Sequence, residues 1–230
     1  LGSNGALRDT SSQLGSLTFG TTNFLEAEFA IEPTITAVQG TSYCFRLSDA
    51  GTDLRNYDVY AEGTINADID VTTVGTQVST LNAATTNQHV GGAFVFTRDG
   101  GNRNLTDITI TETGSIDAST DLDNIELYYE TSADCSLETY DGVEAQYGAT
   151  DTDGFSGADG SSTFSEAGVG ISTGTELCVY VLFDIVGVLA NGQTIDIEIT
   201  DPSTEVVGSA ASTVAPNTTL ALTGSTPISS

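Results

Sequence analysis

Alternation of apolar and polar residues with a period of two constrains this chain more than any other feature. Segment 65–71 reads INADIDV, in which every second residue is apolar and the residues between them are Asn or Asp. Successive side chains of a β-strand point to opposite faces, so this segment has one apolar and one acidic face. The same alternation recurs at 43–47, 94–96, 108–110, 125–129 and 195–199. It predicts a series of half-buried strands.

One stretch departs from the alternation. Segment 177–183 reads LCVYVLF and is continuously apolar, which is typical of a central strand covered on both faces. Clusters of Gly, Asn and Asp separate the apolar runs and supply the positive φ angles that hairpin turns require. No amphipathic helical pattern is present. The sequence therefore predicts an all-β protein of antiparallel sandwich type, Ig-like or jelly-roll-like, with about a dozen strands.

The regularity of the alternation suggests a division of the chain. An extended N-terminal segment is predicted at 1–14, a first sandwich at 15–75 and a second at 91–224. Between them, 76–90 is rich in Thr, Asn and Ala and reads as a linker or crossover, and 225–230 reads as a tail. The alternative is one continuous sandwich with a long crossover.

The charge of the chain excludes several partners. It carries 32 acidic residues against five arginines and no lysine, a formal net charge of -27, while 38% of its residues are hydrophobic. A field of this sign repels nucleic acids and anionic lipids. The longest apolar run, 177–185, is too short for the roughly 18 residues that span a bilayer. Because the chain starts at Leu1 rather than Met, we expect a mature secreted protein at or outside the cell surface, from which a leader was removed.

The three cysteines are too far apart in sequence for a zinc ribbon or a redox pair. Cys178 lies in the apolar run, and Cys135 lies in the polar segment 132–139. A disulfide between them would close a loop of about forty residues onto the core and contribute roughly 3–4 kcal/mol. We predict this bond. Cys44 is then left over, and a small buried side chain is its simplest interpretation.

An acidic glycine-rich loop is the candidate metal site. Segment 151–160 reads DTDGFSGADG, and Asp151, Asp153 and Asp159 could bring hard oxygen ligands around one turn, as Ca²⁺ requires. The loop departs from the EF-hand pattern, because Glu166 follows too late to close it. Solvated loop residues in an acidic protein are the alternative, so no cofactor is required and Ca²⁺ is the one that the pattern allows.

Catalysis finds little support in the sequence. His89 is the single histidine, and no nucleophile and base can be paired with it. A glycosidase needs two carboxylates, which occur by chance among so many acids, but the chain has no Trp to line a sugar cleft. We therefore expect a protein that is not an enzyme. Asn104 and Asn217 match the N-glycosylation acceptor pattern.

Two segments carry a resemblance to known proteins. Residues 43–65 read YCFRLSDAGTDLRNYDVYAEGTI, and residues 91–116 read GGAFVFTRDGGNRNLTDITITETGSI. In strand pattern and in the use of Thr, Gly and Asp, the sequence resembles those of secreted β-sandwich proteins of bacterial and archaeal surfaces, such as pilus-like, thread-like and surface-layer subunits. The resemblance implies a structural role and transfers no functional residue.

Two functions follow as expectations. The first is a structural subunit of an extracellular filament or surface coat that binds copies of itself through terminal strands and sheet edges. Its termini, 1–19 and 218–230, are the places where a donated strand would be sought. The second is an adhesin or carbohydrate-binding module, dependent on Ca²⁺ or not, in which Tyr128 and Tyr129, or Tyr57 and Tyr60, would contact a glycan.

Overall fold

A computed structural model describes residues 42–47, 59–64, 67–99, 103–186, 189–209 and 212–230. The chain divides into two compact units, Leu1–Asn66 and Ala67–Ser230. In the first unit, β1 (Ser42–Leu47) and β2 (Val59–Thr64) form an antiparallel pair, with Cys44 opposite Glu62. The predicted extended segment 1–14 lies outside the described residues.

The regular secondary structure of the second unit is almost entirely β-strand, and the predicted all-β class is confirmed. Its strands are β3 (Ile69–Val74), β4 (Leu81–Asn82), β5 (Thr85–His89), β6 (Ala93–Arg98), β7 (Arg103–Glu112), β8 (Leu122–Ser132), β9 (Ala145–Asp151), β10 (Ser161–Ile171), β11 (Glu176–Ile185), β12 (Thr194–Ile195), β13 (Ile197–Ile199), β14 (Val206–Gly208), β15 (Val214–Ala215), β16 (Leu220–Ala221) and β17 (Thr226–Ser229). The α-helices of the described residues are two single turns, α1 (Ala118–Asp121) and α2 (Pro202–Glu205).

The strands of this unit form three sheets. A seven-stranded sheet has the order β15-β3-β6-β11-β8-β9, with β5 also paired to β11. A five-stranded sheet has the order β10-β7-β13-β16, with β14 also paired to β7. A small third sheet has the order β12-β17-β4. Most pairings are antiparallel, but β15 runs parallel to β3 and β17 runs parallel to β4.

The two larger sheets contribute to one hydrophobic core. Alternate residues of β11 (Leu177, Val179, Val181 and Phe183) belong to the same buried cluster as Ile108, Ile110 and Phe164 of the five-stranded sheet. Period-two alternation in both sheets puts these side chains on the faces that meet. A core shared in this way is compatible with the predicted sandwich.

The remaining residues of β11 explain why its sequence is apolar throughout. Cys178, Tyr180 and Leu182 point to the opposite face of the seven-stranded sheet and are also buried, in a second hydrophobic cluster. The loop between β8 and β9 covers this face, and the predicted disulfide between Cys135 and Cys178 ties the loop down, with 5.6 Å between the two Cα atoms. A strand covered on both faces was predicted here and is observed.

A double glycine permits the sharp step from β5 to β6. Gly91 and Gly92 have φ angles of +87° and +69°, a region that L side chains rarely adopt. A Cβ atom on Gly91 would lie only 2.6 Å from the backbone nitrogen of Val78. That nitrogen donates a hydrogen bond to Val90 O at 2.8 Å, so the close approach belongs to the fold itself.

The second unit extends beyond the segment predicted as the second sandwich. Strand β3, predicted in the first domain, pairs along its whole length with β6. The predicted linker 76–90 contains β4 and β5, and the predicted tail 225–230 contains β17. Alternation reveals that a segment is a strand, but the sheet that it joins is decided by residues distant in sequence.

Candidate functional site

The C-terminal strand β17 lies between two strands from distant parts of the sequence. Its register is antiparallel to β12, with Ile195 opposite Thr226, and parallel to β4, with Leu81 opposite Ile228. We call the surroundings of β17 the strand seat, formed by β4, β12 and the loop 76–80.

Alternating side chains and backbone hydrogen bonds hold β17 in the strand seat. Thr226 is 0% exposed and Ile228 is 1% exposed, whereas Ser229 is exposed. The nitrogen of Ile228 donates to Gln193 O at 2.7 Å, and the hydroxyl of Thr226 donates to Val78 O at 2.9 Å. The strand is therefore held mainly by main-chain contacts and one apolar anchor, which is how an added strand is recognised in general.

A short exposed turn connects β17 to the rest of the unit. Residues 223–225 are exposed, and Gly224 has a φ angle of +97°. The carbonyl of Gly224 accepts a hydrogen bond from Nε2 of Gln77 at 2.7 Å. Gln77 therefore links the turn before β17 to the interior of the unit.

Three side chains form a polar cluster beside the strand seat, which we call the oxygen cluster: buried Glu112 and Gln77 and half-buried Asp196. Nε2 of Gln77 donates to Oδ1 of Asp196 at 2.9 Å. The nitrogens of Asp196 and Gly114 donate to Oε1 of Glu112 at 3.0 and 2.6 Å. The bonds connect the end of β7, the residue between β12 and β13, and the loop before β4.

Two oxygens of the oxygen cluster have no hydrogen-bond partner among the residues that the structure describes. Both Oε2 of Glu112 and Oε1 of Gln77 are buried and unpaired. Burial raises the pKa of Glu112 to about 7, the two backbone hydrogen bonds oppose this rise, and the negative charges of Asp159 and Asp196 add to it. A buried carboxylate without a positive partner is costly, so this carboxyl can take up a proton or a cation near neutral pH.

The three aspartates of the predicted metal loop do not converge. Asp151 ends β9, and its two carboxylate oxygens accept from the hydroxyl of Ser162 at 2.5 Å and from the nitrogen of Asp153 at 3.1 Å. Asp159 is exposed at the far end of the loop and acts on Glu112 instead. Within the described ranges, no group of three or more His, Cys, Asp or Glu side chains could hold a metal ion.

Aromatic side chains gather on the outer face of the seven-stranded sheet. Tyr140, from the covering loop, lies with its ring centroid 5.5 Å from that of Tyr128 and 5.9 Å from that of Tyr180. His89 lies 5.5 Å from Tyr180, and burial lowers the pKa of this histidine. Tyr128 is half-buried, and its hydroxyl donates to Oε2 of Glu126 at 3.3 Å.

Other predicted residues lie apart from these sites. Tyr129 packs against the core, edge-on to Tyr147 at 6.2 Å. Tyr57 is outside the described residues, and only the backbone of Tyr60 is described, in β2. Asn104, on β7, and Asn217, in the turn before β16, are both exposed, as glycan acceptors must be.

The oxygen cluster was missed by sequence reasoning, although part of it was readable. In segment 108–112, ITITE, the alternation puts Glu112 on the same inward face as Ile108 and Ile110. A carboxylate at an inward position is a signal of a functional or strained site. Gln77 gives no comparable signal, because it lies in an irregular loop.

Comparisons with known proteins leave the chain without a family. No protein-family model matches the sequence, and no curated protein matches it. A solved structure of AvmM, described as catalysing macrocyclisation in alchivemycin A biosynthesis, has a TM-score of 0.29 and 12% identity, covering 73% of this chain and 92% of its own. A chain of the solved structure that contains the manganese lipoxygenase of Gaeumannomyces graminis and part of a zonadhesin of Komagataella pastoris has a TM-score of 0.26 and 12% identity, and the match covers 83% of this chain and 59% of that one. Of the helices that the structure describes, none is long and apolar enough to cross a membrane.

Proposed function

We propose that this chain is a structural subunit of an extracellular filament or cell-surface coat, and that its copies join by exchanging the C-terminal strand β17. The observation that supports the proposal is the strand seat, which holds β17 between β4 and β12. The same seat on a second copy offers identical hydrogen-bond partners and an identical pocket for Ile228. Exchange of an identical element is a low-cost route to an assembly.

The size of β17 and its connection support exchange. The strand is four residues long, and it follows an exposed turn whose opening would release it without unfolding either larger sheet. Gly224 supplies the positive φ angle that folds the strand back onto its own unit. A short hinge of this kind decides between closure within one chain and exchange between chains.

The net charge sets a condition on assembly. A formal charge of -27 makes copies of the chain repel one another, and dissolved salt screens such repulsion over about 8–10 Å at physiological ionic strength. We therefore expect assembly to be favoured by salt and by divalent cations, as at an exposed cell surface.

A cross-link between β17 and the strand seat tests the proposal. Asn82 and Ser229 are exposed and directly opposite each other in the parallel pair of β4 and β17. Cysteines at both positions, with Cys44→Ser to remove the third thiol, are close enough to form a disulfide. Concentrated protein is oxidised and separated on non-reducing gels, and the same sample is viewed by electron microscopy.

Exchange predicts ladders of covalent multimers in the Asn82→Cys/Ser229→Cys protein after concentration, together with regular fibres or layers. Oxidation in dilute solution should instead close the link within one chain and prevent later assembly. The matched control is Thr109→Cys/Thr163→Cys, which bridges β7 and β10 where the native hydroxyls lie 2.8 Å apart. This control should cross-link within one chain at every concentration. Purely intrachain links in both proteins, with a monomeric mass by light scattering, would refute the proposal.

A further inference from the structure

The unpaired oxygens of the oxygen cluster would be stabilised by a positively charged partner. Glu112 is 0% exposed and Gln77 is 7% exposed, and each has one buried oxygen without a hydrogen bond. Leaving a buried acceptor unsatisfied costs free energy, and native structures avoid it unless a water, ion or function explains it. Here two such oxygens belong to side chains that are both hydrogen-bonded to Asp196.

Two negative charges act on Glu112, the central carboxylate of the cluster. Glu112 is affected by the carboxylates of Asp159, from the loop before β10, and of Asp196, from the segment between β12 and β13. The neighbouring backbone nitrogens of Gly114 and Asp196 are already used by Oε1 of Glu112. A divalent cation would pair with the remaining Oε2 and would relieve the repulsion among the three carboxylates.

We propose that Glu112, Gln77 and Asp196 form a binding site for Ca²⁺. The atoms available to coordinate the cation are carboxylate and amide oxygens, which this hard cation prefers. The three side chains include no thiol or imidazole. The segments that carry Gln77 and Asp196 are irregular, and Ca²⁺ tolerates irregular coordination, whereas Mg²⁺ demands near-octahedral geometry and gives up its waters reluctantly. The site is distinct from the predicted metal loop of Asp151, Asp153 and Asp159. Of these three aspartates, Asp159 is the one whose charge affects Glu112.

Binding at this site would reach the C-terminal strand through Gln77. Its amide nitrogen holds both Asp196 and the carbonyl of Gly224, in the turn that precedes β17. A cation that fixes Oε1 of the same amide therefore fixes the turn, and stabilises β17 in the strand seat. The consequence for assembly rests on the proposed function, but the binding site itself does not.

Calorimetric titration of the full chain with CaCl₂, together with thermal unfolding in CaCl₂ and in EDTA, tests the site. A ligand that binds only the folded state raises the unfolding temperature, by about 5 °C for a domain of this size at a hundredfold excess over its Kd. We expect this rise at pH 7.5 for the unaltered protein, and a smaller one with MgCl₂.

Substitutions locate the binding. Glu112→Gln should abolish the rise in unfolding temperature and remove one calcium ion from the calorimetric stoichiometry. Asp196→Asn should weaken binding about tenfold or more, and it serves as the second variant if Glu112→Gln does not fold. Glu126→Gln, which replaces a half-buried carboxylate on β8 of the seven-stranded sheet, is the matched control and should keep the full response. Asp151→Asn/Asp153→Asn should also keep it.

Each outcome decides for or against the site. Absence of a calcium-dependent rise in the unaltered protein, or its persistence in both cluster variants, would overturn the proposal. Loss of the rise in Asp151→Asn/Asp153→Asn with retention in Glu112→Gln would do the same, by assigning calcium to the loop. Calcium binding at this site does not require exchange of β17 between copies, so a failure of strand exchange leaves these expectations unchanged.

Discussion

The outer face of the seven-stranded sheet and the oxygen cluster both bury polar groups, and they differ in how those groups are satisfied. On the outer face, the hydroxyl of Tyr180 donates to Oε1 of Glu130 at 2.6 Å, and the nitrogen of Cys135 donates to Oε2 of Glu176 at 2.8 Å. In the oxygen cluster, Glu112 and Gln77 each retain an unpaired oxygen. The first region is complete as it stands, and the second is complete only with a proton, a water or a cation.

The two regions are also closed by different means. A disulfide attaches the covering loop permanently to β11, whereas the strand seat is closed by a terminal strand held through hydrogen bonds and Ile228. A covalently closed region stays the same under changing conditions. A region closed by a strand end and an unsatisfied carboxyl can respond to pH, to cations and to other copies of the chain.

Removal of the disulfide should have the largest effect. Cys135→Ala/Cys178→Ala releases a cross-link between residues 43 apart in sequence, and a loop of that length is expected to contribute about 4 kcal/mol to the free energy of unfolding. Urea unfolding followed by circular dichroism measures the loss. Retention of the calcium response would show that the two regions are independent, and a loss below about 1 kcal/mol would contradict a stabilising role for the covalent closure.

The contribution of Glu112 in the oxygen cluster to the pH dependence of stability should come next. Because the pKa of Glu112 is raised from 4.5 to about 7 in the folded protein, this carboxyl holds its proton more tightly folded than unfolded. Its contribution is therefore fully present below pH 4.5 and is lost as the pH rises through 7. At pH 8 in EDTA, this loss should lower the free energy of unfolding by about 2–3 kcal/mol.

The variant Glu112→Gln isolates this effect. It should remove that part of the pH dependence and be more stable than the unaltered protein at pH 8, yet close to it at pH 5. Chemical unfolding at the two pH values, both in EDTA, measures the difference. Glu126→Gln serves again as the matched control. If Glu112→Gln is destabilising at pH 8, the carboxyl already has a positive partner, and the contrast between the two regions disappears.

The strands with clear alternation could be predicted from the sequence because alternation is a local property. Segment 177–183 could be predicted as a central strand, since seven consecutive apolar residues need cover on both faces. The covering loop with Cys135 followed from the same reasoning. In each case, the residues that carry the signal are also the residues that form the element.

Sheet membership and the oxygen cluster could not be predicted in this way. Gln77 is buried because residue Gly224, 147 positions later in the chain, returns to accept its amide hydrogen. Strand β17 pairs with β4 across a similar distance in the sequence, so the last residues read as a tail in the sequence alone. Glu112 is the exception, because the alternation of segment 108–112 puts it on the same inward face as Ile108 and Ile110.

Removal of one hydroxyl on the outer face should cause the smallest change in the free energy of unfolding. The sign of this change should be opposite to that of Glu112→Gln at pH 8. Tyr180→Phe removes a hydrogen bond to Glu130 from a phenol that is 1% exposed, and should lower the free energy of unfolding by roughly 1 kcal/mol. Tyr128→Phe, the matched control, removes a longer bond on a half-buried ring and should cost less than about 0.5 kcal/mol. Deleting a polar group from the satisfied region thus destabilises, whereas neutralising Glu112 at pH 8 stabilises. Urea unfolding of Tyr180→Phe and Glu112→Gln at pH 8 in EDTA measures both changes in the free energy of unfolding in one experiment. Changes of equal sign would mean that the polar groups of the two regions do not differ in how they are satisfied.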